Sequence, residues 1–158
     1  MLIAIILINF FKMIMSNLCL INLEIQDQAP LIIQLLSVVF LAILFIQSGL
    51  DKVMDKEGNL SWLTSHFANS PLKNAVPFLL LTITVVELLA GFGNLVGGIY
   101  LFLFESNVIA LVGTLLSSLA LVMLFFGQRI AKDYVGAQSL VSYFILTILT
   151  LLVFGYTI

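Results

Sequence analysis

From Leu31 onward the chain alternates long apolar runs with short polar interruptions. The first run, LIIQLLSVVFLAILFIQSGL (31–50), rises about 30 Å as a helix, the thickness of a bilayer's hydrocarbon core. The second, 75–104, is longer and predicts a tilted helix or one bent at Gly97–Gly98. A turn at Glu105, Ser106 and Asn107 precedes a third run at 108–127. The compact charged stretch QRIAKDYVG (128–136) leads into a fourth at 137–158. The pattern predicts an all-α, integral membrane four-helix bundle. Between the first two spans, 51–74 is the only sizeable loop. It opens on DKVMDKEGN, and Asp51 is expected to end the first helix. LSWLTSHF comes next, where Ser61 can cap a short half-helix. Trp62 favours the membrane boundary, so this half-helix is expected to be interfacial.

The first 30 residues read as a separate extension. Met1–Leu23 is apolar but broken by Asn9, Lys12, Ser16 and Asn17, and no basic residue precedes it, unlike a secretory signal. Three readings stand open: a true start at Met13 or Met15, an interfacial helix, or a fifth crossing. EIQDQAP (24–30) is expected to be a polar lead-in to the bundle domain, 31–158.

Composition sharpens the class. The chain of 158 residues is 62% hydrophobic and 9% charged, with mean hydropathy +1.23. Soluble domains carry about 25% charged residues, so water cannot be the main solvent here. A net charge of −2 and six scattered basic residues exclude a nucleic-acid surface. The single cysteine, Cys19, excludes an internal disulfide or a CxxC pair. Five of the six basic residues (Lys52, Lys56, Lys73, Arg129, Lys132) lie in the first and third connections. By the positive-inside rule, 51–74 and 128–136 are expected in the cytoplasm and the termini outside.

Chemistry concentrates in the second span. Glu87 is its one charge, and an intramembrane carboxylate needs a protein partner. At helical spacing Glu87, Ala90, Gly91, Asn94, Gly97 and Gly98 share one small, polar face, and Gly93 and Gly97 also form a GxxxG pair. Counted from the cytoplasmic ends of the spans, Glu87 is level with Ser117 and Ser118 on the third and Thr147 on the fourth. No basic residue falls at that depth. Hydroxyls are therefore the expected partners, with the carboxyl in its neutral form. Glu87, Asn94, Ser117, Ser118 and Thr147 make up a candidate ligand site. A second polar cluster gathers at the boundary: Gln47, Asp51 and Lys52 with Gln128, Arg129, Lys132, Asp133 and Tyr134. Asp51–Arg129 and Lys52–Asp133 are its natural ion pairs. His66 has no metal-ligand spacing around it, and no nucleotide or nucleophile motif is present.

FIQSGLDKV (Phe45–Val53), VELLAG (Val86–Gly91) and GQRIAKDYVGA (Gly127–Ala137) together resemble the DoxX family of small membrane proteins. The resemblance covers about 31–158. It implies a four-helix membrane bundle and, loosely, a non-catalytic subunit of a redox-linked membrane complex. Such a subunit has a buried polar site, with a quinone or a lipid as the candidate ligand, and another membrane protein as partner. The thiol chemistry of related bundles needs cysteine pairs that this chain lacks. The alternative is a scaffold or assembly factor that docks a membrane protein through its glycine-rich face.

Overall fold

The computed structural model describes the backbone of residues 2–156, and the side chains of Lys12, Met15, Ser16 and 28–156. Five helices succeed one another: α1 (Leu2–Met54), α2 (Lys56–His66), α3 (Val76–Phe104), α4 (Val108–Ile130) and α5 (Tyr134–Tyr156). Four stretches among the described residues are long and apolar enough to cross a membrane: Gln28–Met54 of α1, and α3, α4 and α5. The chain divides into two compact units, 1–33 and 34–158.

The first unit is helical from Leu2 onward, and α1 contains Pro30. The segment 24–30, expected as a lead-in, is therefore helix. The interfacial and fifth-crossing readings of 1–23 fall mostly on side chains outside the described residues.

The second unit holds the bundle, and its outside and inside are reversed relative to a water-soluble protein. Leu36, Phe78, Phe102 and Val135 are exposed, while Gln34, Thr84, Glu87, Asn94, Thr114, Ser117, Thr147 and Thr150 are buried. In water an apolar exterior of this extent would drive aggregation; in lipid it is the solvated face. A small apolar core of Leu41, Phe45, Ile83, Ala90, Ala120 and Leu121 completes the interior. On α3 the predicted small face is the buried one: Glu87, Ala90, Gly91, Asn94, Gly97 and Gly98 all point inward.

Helix ends obey local chemistry. α1 runs one turn past Asp51 to Met54, with Lys52 in its last turn, where a cation suits the helix dipole. The half-helix starts five residues before Ser61. Asp55 is its cap, its Oδ1 accepting from the Gly58 amide at 3.0 Å, so DKEGN opens a helix where turn residues suggested a loop. The result is an eleven-residue helix. α3 runs unbroken through Gly97–Gly98 and ends at Glu105, whose φ of 53° is left-handed. α4 extends to Ile130, beyond the expected 127. Lys132 takes φ 63° in the next turn, and α5 begins at Tyr134. There Asp133 Oδ1 accepts from the Gly136 amide at 2.8 Å.

Helices α1 and α3 run antiparallel. A Cβ built on Gly98 would meet Val38, one on Gly91 would meet Ile46, and one on Gly49 would meet Leu88. Extended at 1.5 Å per residue, this register stops α1 about two turns short of the start of α3. Helix α2 packs against α3 instead, in the space that α1 leaves.

Candidate functional site

Because α1 ends early, Glu87 is level with its last two turns and not with the middle of a uniform slab. Its side chain is fully buried. Ser48 Oγ donates to Oε1 at 3.1 Å, and Lys52 Nζ lies 2.8 Å from Oε2. Lys52 is thus the cation beside Oε2, and among the described residues no other donor reaches that oxygen. Lys52 also donates to Ser48 Oγ at 2.8 Å and to the Ser48 carbonyl at 3.1 Å. Ser48 and Lys52 are one helical turn apart, which puts both on the face that meets α3. The three side chains form a closed, charge-balanced set.

This overturns three sequence expectations. Glu87 has a basic neighbour, Lys52, beside the Ser48 hydroxyl, where hydroxyls alone were expected. Lys52 pairs with Glu87 and not with Asp133. The deep site and the boundary cluster, read as separate, meet at this pair. A count of depth from the ends of the spans missed it because the spans do not start level.

The hydroxyls assigned to Glu87 are spent elsewhere. Ser117 accepts from Asn94 Nδ2 at 2.8 Å and donates to the Gly113 carbonyl. Ser118 donates to the Thr114 carbonyl, and Thr147 to the Phe144 carbonyl. Asn94 instead anchors a second buried network. Its Nδ2 also reaches the Ala90 carbonyl at 2.8 Å, and its Oδ1 accepts from Thr114 at 3.1 Å. Both amide hydrogens are therefore committed. The network bridges α3 and α4 where their backbones touch: a Cβ on Gly113 would lie 2.5 Å from the Asn94 nitrogen, and one on Gly97 would collide with the Ala110 backbone. The glycine-rich face is thus filled from within the chain, Gly93 and Gly97 packing on α4 and Gly91 and Gly98 on α1. Thr114, visible in the sequence only as a small polar position, is the partner that depth counting missed.

We expect Asn94→Leu to cost about 1–2 kcal/mol. Ser117 and Thr114 keep their bonds to carbonyls one turn back, so no hydroxyl is orphaned. Equilibrium unfolding in mixed micelles measures it.

The rest of the boundary cluster separates. Arg129 stacks over the Tyr134 ring at 4.7 Å and makes no pair with Asp51. The Asp51 backbone carbonyl accepts from the Asn59 amide side chain. Lys132 shapes the turn, and Asp133 caps α5. Gln128 takes a role the sequence did not assign, with its Oε1 3.0 Å from His66 Nε2. Asp133 Oδ2 lies 3.9 Å from the same nitrogen. His66 thereby ties α2 to the α4–α5 connection.

Several cavities open on this scaffold, one of them a hollow of about 380 Å³ on α5 lined by Ile148, Leu152 and Tyr156. A groove of about 660 Å³ runs between α1 and α3, walled by Val39, Ile43, Ile99 and Phe102, with Asn94 and Gln47 also in its lining. Gln47 is exposed, and among the described residues its amide makes no hydrogen bond. A smaller cavity lies under α2.

Fold and interior together define a multi-pass helical membrane protein. No known protein family, curated protein or solved structure matches the chain.

Proposed function

We propose that this chain is a DoxX-like membrane protein that acts as a non-catalytic subunit of a redox-linked membrane complex. It holds an amphiphile, a quinone or a lipid, in the groove between α1 and α3. The groove itself carries the reading: about 660 Å³ of almost wholly apolar wall with one uncommitted amide, Gln47, in its lining. Ligand sites commonly pair apolar walls with a few orienting polar groups. The polar head rests on Gln47, since the donors of Asn94 are used within the protein. Glu87 and Lys52 hold α1 against α3 beyond the end of the groove and are not part of its lining. In this reading α2 lies at the membrane boundary with Trp62 outward, the lysine- and arginine-bearing connections face the cytoplasm, and the termini face out. The scaffold alternative has less support, because Gly97 already packs on Ala110.

Protein purified in mild detergent is expected to carry a stoichiometric quinone or phospholipid, identified by mass spectrometry of the extract. Ile43→Trp fills the groove from an exposed position and is expected to remove most of that ligand while the protein still folds. Wild-type protein that carries neither molecule above the level of an unrelated membrane protein ends the reading.

A further inference from the structure

The cavity under α2 is a different place from the groove, and its chemistry is independent of the groove's occupant. It occupies about 200 Å³ between α2, α3 and α4, in the niche left by the short α1. Leu63, Phe67, Leu80, Ile83 and Leu124 supply apolar walls, and His66 and Gln128 supply the polar groups. The imidazole is fixed on two sides: it stacks on Trp62 at 4.7 Å and 16°, and meets Phe67 edge-on at 5.2 Å and 84°. Its Nε2 is paired with Gln128 Oε1 at 3.0 Å. That contact leaves the Gln128 amide N–H₂ group without a hydrogen bond among the described residues.

We propose that this cavity binds a small, flat, ring-bearing molecule carrying one hydrogen-bond acceptor, such as an aryl ketone, with its acceptor on the Gln128 amide nitrogen. Size, shape and chemistry each contribute. An apolar cavity of about 150 Å³ already admits benzene, so about 200 Å³ takes a substituted ring. Aromatic side chains at the mouth favour a flat face. The walls are too apolar to satisfy water, which needs two to four polar partners. A lipid chain would fill the space but leave the amide donor unused.

Trp62 is the only tryptophan in the chain and it lines the cavity, so its fluorescence reports occupancy. The probes are 4-bromoacetophenone and 4-bromo-α-methylstyrene, which differ by C=O against C=CH₂. Each carries a bromine that quenches tryptophan at contact. With the whole chain in detergent micelles, the ketone is expected to quench saturably, with an apparent affinity about tenfold above that of the alkene, as one good hydrogen bond provides. Gln128→Leu is expected to erase that tenfold preference. His66→Phe also breaks the His66–Gln128 bond but leaves the amide donor in place, so it is expected to keep the preference. Gly127→Leu projects toward Phe67, where even a Cβ would lie 3.4 Å from Cζ. It is expected to abolish saturation by both probes.

Quenching that rises linearly with concentration, as for partition into the micelle, overturns the proposal. Equal affinities for the two probes in the wild type do so as well, since they mark a chain-binding apolar pocket. Loss of the preference in His66→Phe also overturns it, because the docking of α2 would then be the cause and not the amide.

Discussion

Lys52→Met is expected to be among the most damaging single changes in this protein, at about 3–5 kcal/mol, the usual cost of stranding one member of a buried ion pair. Glu87 is fully buried and Ser48 can satisfy only one of its oxygens; without Lys52, Oε2 faces a packed interior with neither cation nor donor. The reverse change is milder. Lys52 keeps 17% of its side chain exposed, so in Glu87→Gln its ammonium can turn toward water or headgroups along its flexible stem. We expect about 1–2 kcal/mol there. The double variant Lys52→Met/Glu87→Leu removes both charges and is expected to recover most of the loss, because a well-packed apolar pair often matches a buried ionic one. Equilibrium unfolding of the four proteins in mixed micelles closes the cycle. A Lys52→Met protein as stable as the wild type would mean that the pair holds nothing together.

The second large effect is expected at Gly97. A Cβ there runs into the nitrogen and Cα of Ala110, and backbone, unlike the tip of a side chain, cannot step aside. Gly97→Ala must part α3 from α4, at a cost of about 2–3 kcal/mol, and it strains the Asn94–Ser117–Thr114 bonds that span the same interface. Helix propensity works in the opposite direction, since alanine is favoured over glycine inside a helix by about 1 kcal/mol. Gly155→Ala isolates that contribution, because a Cβ on Gly155 meets nothing within 4 Å. It is expected to be neutral or slightly stabilising. Thermal unfolding in one detergent compares the two, and a stabilised Gly97→Ala would show that the helices do not touch there.

Much of this arrangement is legible in the order of residues. The apolar runs locate the four candidate membrane spans to within a few residues, because a membrane-crossing helix must be continuous and its interruptions are charged, but they do not show that α1 begins as early as Leu2. The inward face of α3 is equally readable, since Glu87, Asn94 and the glycines recur at helical spacing and only one face can hold them all. The partners are not readable. Whether Glu87 meets Lys52 or Thr147 depends on how far α3 extends past the end of α1. That offset is occupied by α2, whose start is concealed in a stretch, DKEGN, that resembles a turn. His66 and Gln128 are far apart in sequence, and no local pattern joins them. The cavity under α2 becomes visible only once the helices are packed.

The reversal of inside and outside has a consequence for how this chain can vary over time. Lipid solvates leucine about as well as a protein interior does, so helix association in a bilayer draws on close packing and polar contacts more than on burying oil from water. Exchanges among leucine, isoleucine, valine and phenylalanine on the outer stripe should therefore pass almost unnoticed. The small and polar inner positions, which in a soluble protein would be the permissive ones, are where sequence drift meets resistance.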